Sequence, residues 1–250
     1  MDLNQSCLVY DNLPKTTAQL ALWNGDEPFQ AALKLIQGRS LLDVPRLWTL
    51  WNAVRQVEKI NPGSGGHVLE VGIYRGGSAV ILAKAIGSIL QRREIYAGVR
   101  EWMGEESIQK PANPKLYLAD TFEGLVDAGQ KDNAHHNGDF KVDEAEVRAF
   151  LQKHAPEATI LKGRFPETFM GMGGELRLVH CDVDTYESTF AVIKYTTPLL
   201  LVGGMIIVDD FGFVTCMGAA KAVSEFWSDN RLVCTYNLTG QAILTKVRSS

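Results

Sequence analysis

The chain has 250 residues, a formal net charge of −4 and an apolar fraction of 46%, the balance of an ordinary globular protein long enough to bury one full core. Its 25 Lys and Arg form no long run and are outnumbered by 29 Asp and Glu. The basic footprint that nucleic-acid binding requires is therefore missing, and a small-molecule partner is the better expectation.

Cys7, Cys181, Cys216 and Cys234 are scattered without a C-x-x-C pair, which argues against a disulfide framework and against a thiolate zinc site. The polar N-terminus lacks the layout of a signal peptide, and no apolar run approaches about 18 residues. A cytoplasmic protein that does not enter a membrane is expected.

In chain order, apolar residues first recur at helical spacing over residues 28–60, through Phe29, Ala32, Leu33, Leu47, Leu50, Trp51 and Val54. Trp48 and Trp51 read as core. The run NPGSGG over residues 61–66 is a break. It divides a helical segment, 1–60, from a second unit, 61–250. Residues 67–73 (HVLEVGI) read as a strand, Gly76-Gly77-Ser78 as a turn, and residues 79–90 as a helix, the opening of a βαβ unit.

Further strands are expected at 115–119, 158–161, 176–181 and 205–208, with helices at 142–154, 185–199 and 217–228 between them. Residues 232–237 and 241–247 read as an antiparallel hairpin around Thr239-Gly240. The fold class is α/β: a doubly wound, mostly parallel seven-stranded sheet ending in a hairpin. Residues 91–114 form a long polar stretch in which 94–99 could be a further strand, making Glu101 a rival to Asp120 for a ribose contact.

In such sheets ligands bind beyond the carboxyl ends of the strands, where four segments of this chain fall together. Glu70-Val-Gly72-Ile-Tyr74-Arg-Gly76-Gly77 has the spacing G-x-x-x-G-G, which differs from a dinucleotide fingerprint. It suits a nucleoside without phosphate, or else strand–helix packing alone. Asp120-Thr-Phe122-Glu-Gly124 offers a carboxylate for ribose hydroxyls or for a helix cap. Asp182-Val-Asp184-Thr and Asp209-Asp210-Phe-Gly212 bring four carboxylates to adjacent strand ends. These cannot all stay ionised uncompensated, and a hard divalent cation would relieve the repulsion. Asp184, just before a helix, is expected to cap it. His135-His136, in a polar loop, is either solvated or a hydrogen-bonding or proton-accepting pair near the crevice.

Taken in order, these segments resemble the macrocin O-methyltransferase family. The resemblance rests on Arg46-Leu-Trp-Thr-Leu-Trp-Asn-Ala-Val, the glycine segment, Ala119-Asp-Thr-Phe-Glu-Gly-Leu, Gly163-Arg-Phe-Pro-Glu-Thr-Phe, Asp182-Val-Asp-Thr-Tyr-Glu-Ser-Thr and Gly203-Gly-Met-Ile-Ile-Val-Asp-Asp-Phe. Val183 stands where the family pattern has glycine. The resemblance implies a Rossmann-like class I methyltransferase fold with a helical N-terminal lid, S-adenosylmethionine as methyl donor, Mg²⁺, and a homo-oligomer. It assigns the metal to Asp182, Asp209 and Asp210. It places the cofactor at Glu70, Gly72, Tyr74, Gly76, Ser78, Asp120, Phe122 and Asp182, with adenine-side contacts near Gly163, Arg164 and Phe165. Asp182, His135 or His136 would take the proton from the acceptor hydroxyl of a natural-product sugar or catechol-like diol. A metal-independent N- or O-methyltransferase and a non-enzymatic nucleotide-binding module are the competing readings.

Overall fold

The computed structural model describes residues 21–60, 65–103 and 112–249. Two N-terminal helices come first, α1 (Glu27–Leu35) and α2 (Val44–Ile60). Asp26 caps α1 by accepting the Phe29 N–H at 3.1 Å, and Pro28 occupies the first turn, where no amide is needed. Phe29 packs on Trp48 and Trp51, with ring centroids 5.0 and 5.5 Å away. Both helices bury their apolar faces in the same core as α3 (Gly77–Trp102) and the sheet. What the N-terminal segment presents to the functional cavity is the connection between the helices, residues 39–42, together with Arg46.

The sheet has seven strands in the order β3-β2-β1-β4-β5-β7-β6. β1 (His67–Val71), β2 (Leu116–Asp120), β3 (Thr159–Lys162), β4 (Leu176–Cys181) and β5 (Leu200–Val208) are parallel. β6 (Leu232–Tyr236) and β7 (Ala242–Lys246) form the antiparallel hairpin, with β7 against β5. Helices α4 (Glu144–His154), α5 (Tyr186–Thr196) and α6 (Met217–Ser224) complete the crossovers. The chain order reverses between β1 and β4, which opens a crevice at their carboxyl ends.

The expected architecture is present, with two local corrections. Helix α3 runs to Trp102, well past residue 90, so residues 94–99 are helical and not a strand. Its buried positions end at Ile89; Arg93 still pairs with Glu58 of α2 at 2.6 Å, and from Glu94 onward the helix lies exposed. Glu101 consequently sits on an exposed helical turn, away from the strand ends, and does not compete with Asp120. β5 begins at Leu200, five residues before the expected start, because the glycines at 203 and 204 continue the strand through a register irregularity instead of turning it. Residues 61–64 of the break and 104–111 of the polar stretch lie outside the described residues. Among the described residues no helix is long and apolar enough to cross a membrane.

Candidate active site

The carboxyl ends of β1, β2, β4 and β5 enclose a cavity of about 260 Å³. Its lining includes Gly72 to Tyr74, Ser78 and Gly163 to Phe165 together with Arg46, His135, Asp182, Asp184, Asp209, Asp210 and Cys216. Apolar and backbone surface beside a group of oxygen-bearing side chains suits a ligand with an apolar part and an oxygen-rich reacting part. Of the expected cofactor contacts, Gly72, Tyr74, Ser78, Asp120, Gly163, Arg164, Phe165 and Asp182 line the cavity, while Glu70, Gly76 and Phe122 do not.

Asp120, the last residue of β2, caps no helix. Its Oδ2 accepts the N–H groups of Ile73 and Tyr74 at 2.8 and 3.2 Å, and its Oδ1 accepts that of Phe122 at 2.7 Å. It therefore fixes the glycine turn after β1 while still facing the cavity. Burial raises its pKa, and the Phe122, Ile73 and Tyr74 amides oppose the rise. Gly72 has φ +86°, and a Cβ there would collide with the carbonyl of Asp182. Glycine at this position is what lets the ends of β1 and β4 close on each other. Gly76 caps α3 in the left-handed region, against Leu151, and Phe122 is buried in the core, which explains why neither reaches the cavity.

Asp182, Asp209 and Asp210 bring carboxylate oxygens within 4.8 Å of one another. Adjacent ligands of an octahedral ion with bonds of about 2.0–2.1 Å stand about 3 Å apart, so the three oxygens would have to draw together to share one hard cation. The electrostatics fit as well. Burial pushes the pKa values of Asp182 and Asp210 far up, and the neighbouring carboxylates add to it. Asp209 is held low: burial opposes this but is outweighed by His180, Arg46 and Gln241. Arg46 makes an ion pair with Asp209 Oδ2, and Gln241 Nε2 donates to Oδ1 at 2.8 Å. Three buried carboxylates that repel one another's charge have the all-oxygen donor chemistry for Mg²⁺.

Beneath it lies a pair that motif reading missed. Glu70 and His180 are register partners on β1 and β4, both wholly buried, with Oε1 2.8 Å from Nδ1. His180 Nε2 stands 3.8 Å from Asp209 Oδ1, an ion-pair distance. Burial lowers the His180 pKa, but Asp209 and Glu70 outweigh it and raise it well above the usual value. The expected cofactor contact at Glu70 is thus redirected, since this carboxylate is spent inside the sheet on an imidazolium. The available signal was a polar residue in each of two buried central strands, because such residues must find partners.

The second correction concerns Asp184. Helix α5 starts after Thr185 with no side-chain cap of its own. Asp132 Oδ1, from the preceding loop, instead accepts the Tyr186 N–H at 2.8 Å. A Cβ on Gly218 would collide with that Asp132 oxygen. With the cap supplied from outside, Asp184 (φ +57°) turns its carboxylate into the cavity. Its Oδ1 lies 3.6 Å from His135 Nε2 and 3.5 Å from Cys216 Sγ. Burial raises the Asp184 pKa, opposed by His135 and the Cys216 contact. Burial, with Asp210 and Asp184, also pushes the Cys216 thiol up. Asn133 ties this loop to the start of α6, donating to the Val214 carbonyl at 2.7 Å and accepting the Met217 N–H at 3.2 Å. Of the two histidines only His135 faces the cavity; the His136 side chain is 85% exposed.

Comparison with known proteins agrees with this architecture. The chain is 27% identical over 195 residues to 8-demethyl-8-(2,3-dimethoxy-alpha-L-rhamnosyl)-tetracenomycin-C 4'-O-methyltransferase of Streptomyces olivaceus, covering 72% of this chain and 65% of that protein. It is 25% identical over 199 residues to demethyldecarbamoylnovobiocin O-methyltransferase of Streptomyces niveus, covering 75% and 67%. The chain thus spans about two thirds of the length of these curated relatives. The solved structure of the O-methyltransferase NovP superposes with a TM-score of 0.65 at 23% identity, over 84% of this chain and 83% of that one. Residues 30–237 match the family described as macrocin-O-methyltransferase (TylF). The chain belongs to the macrocin O-methyltransferase family.

Proposed function

We propose that this protein transfers a methyl group from S-adenosylmethionine to one hydroxyl of a vicinal diol on a small natural product, a sugar or a catechol-like ring, with Mg²⁺ held by Asp182, Asp209 and Asp210. The observation that carries the reading is the convergence of those three carboxylates in the lining of a cavity that is also bordered by backbone and apolar groups. Both curated relatives are named as O-methyltransferases, one of a rhamnosyl-tetracenomycin and one of demethyldecarbamoylnovobiocin.

When bound, the sulfonium cofactor supplies an electrophilic methyl group, and the ion lowers the pKa of an alcohol hydroxyl and fixes its direction. The chain's own residues do the rest. Asp120 stiffens the turn from Ile73 to Tyr74 through two amide bonds and keeps oxygen lone pairs toward the cavity for ribose hydroxyls. Arg46 balances Asp209, so the carboxylate group keeps its arrangement. His135 and Asp184, 3.6 Å apart, face the cavity as acceptors of the hydroxyl proton, while Asp182 serves as a ligand. Burial makes Asp184 more basic than an exposed aspartate, which suits that task. Holding nucleophile and electrophile in line is the largest contribution such a site makes.

The test is methyl transfer from labelled S-adenosylmethionine to a panel of glycosylated diols, with and without EDTA. Loss of transfer on chelation and its return with Mg²⁺ are expected. Full transfer by metal-free enzyme would favour the metal-independent reading. Tight cofactor binding with no transfer to any acceptor would favour the binding module. The homo-oligomer and the cytoplasmic location belong to the same proposal; light scattering tests the first and fractionation the second.

A further inference from the structure

Cys216 has no part in the reaction above, yet its sulfur completes a compact triangle. His135 Nε2 to Cys216 Sγ is 3.3 Å, His135 Nε2 to Asp184 Oδ1 is 3.6 Å, and Cys216 Sγ to Asp184 Oδ1 is 3.5 Å. A tetrahedral zinc ion, with bonds of about 2.0–2.1 Å to nitrogen or oxygen and about 2.3 Å to sulfur, spaces its ligands about 3.3–3.6 Å apart. The triangle therefore has the size of one face of a zinc tetrahedron. All three residues line the cavity, which makes the triangle reachable from it.

We propose that His135, Asp184 and Cys216 form a second metal site, for a borderline-soft divalent cation such as Zn²⁺, distinct from the all-oxygen group of Asp182, Asp209 and Asp210.

The surroundings are those of a built site. The far ring nitrogen of His135, Nδ1, lies 3.9 Å from the Asp139 carboxylate, close enough for charge attraction on the side of the ring away from the triangle. Thr215 Oγ1 lies 3.6 Å from the sulfur. Asn133 and Asp132 pin the histidine-bearing loop to the starts of α6 and α5, which fixes the three donors relative to one another before any ion arrives. The two donor sets sort cations by hardness. Three carboxylates suit Mg²⁺, whereas an imidazole, a carboxylate and a thiolate suit Zn²⁺. Binding sends the thiol proton to solvent. One consequence rests on the function proposed above: Zn²⁺ would occupy the groups that accept the hydroxyl proton and so would inhibit methyl transfer even with Mg²⁺ saturating.

The experiment uses the full-length protein in saturating Mg²⁺, with Co²⁺ as a visible substitute for zinc. A sulfur-to-cobalt charge-transfer absorption is expected. It should vanish in Cys216→Ser and persist in Cys181→Ser, Cys234→Ser and Asp182→Asn, with circular dichroism confirming that each variant is folded. By calorimetry Zn²⁺ should bind one per chain, at least tenfold more weakly in Cys216→Ser and in His135→Ala. Absence of the absorption, or its survival in Cys216→Ser, overturns the site. Zinc inhibition is scored against each variant's own zinc-free rate. If zinc binds with this residue dependence but transfer continues, the metal site stands and the role of His135 and Asp184 as proton acceptors falls.

Discussion

Arg46, on helix α2, forms an ion pair with Asp209 at the end of β5, a carboxylate 163 positions further along the chain. The guanidinium supplies part of the positive charge that the buried aspartates need. Arg46→Gln should therefore destabilise the metal-free protein, on the order of 3 kcal/mol for an uncompensated buried charge. It should also enlarge the rise in thermal midpoint on adding Mg²⁺. Differential scanning fluorimetry with and without Mg²⁺ measures both. An unchanged metal-induced rise would mean that Arg46 and the ion do not share Asp209.

Asp184→Asn tests the role of this carboxylate in the cavity. Asn keeps the side chain's shape and Asp132 already accepts the Tyr186 N–H, so stability should change little. Methyl transfer should fall by about 10²-fold or more, the usual contribution of a positioned proton acceptor. Cofactor affinity should stay near that of the unaltered protein. Transfer left intact would remove Asp184 from the reaction.

The buried Glu70–His180 pair predicts a non-additive cycle. Glu70→Leu or His180→Phe alone strands a charge in the sheet and should cost about 3–5 kcal/mol, whereas the double variant should recover much of it. Denaturant titration of the four proteins gives the coupling. Additive losses would show that the two side chains act independently.

His67 sets an acid limb. Burial, with Lys115 and Arg177, holds its pKa below the ordinary 6.5, so the unfolded chain takes up a proton there that the folded chain resists. Stability should fall as pH drops below 6.5, and this contribution should level off once the lower folded value is passed. His67→Gln should flatten the fall in thermal midpoint between about pH 7 and about pH 5.5, and leave it unchanged at higher pH. An identical acid limb in the variant would assign it to other groups.

The sheet was legible because its inner strands are short apolar runs separated by helical periodicity, and strand ends in such sheets mark the crevice. That logic located Asp120, Asp182, Asp209 and Asp210 in the cavity wall. The extent of α3 was hidden because residues 94–99 are a short apolar run that suits a strand as well, and the helical spacing of Ile95, Val99 and Trp102 serves no burial. Asp184 misled because the competing cap, Asp132, lies 54 positions before Tyr186 in a loop without pattern. Glu70 and His180, and likewise His135 and Cys216, sit 110 and 81 positions apart, so only the folded chain shows that they meet. The scattered cysteines argue against a thiolate zinc site, yet the lack of sequence-local pairs says nothing of donors that only folding brings together, such as His135, Asp184 and Cys216.

Helices α1 and α2 are more than a cover for the cavity, because Phe29, Ala32, Ile36, Leu47, Leu50 and Trp51 belong to the same core as α3 and the central strands. With no internal seam between them, melting should be a single cooperative event in which architecture and binding capacity vanish together. Cutting the chain within α1 or α2 would leave a water-exposed apolar scar on α3, and an aggregating fragment in place of an open, working enzyme. Of the N-terminal segment, the short connection between those helices borders the interior, and it is anchored in turn, its Arg39 carbonyl accepting the Gly77 N–H and the Arg39 guanidinium pairing with Glu146.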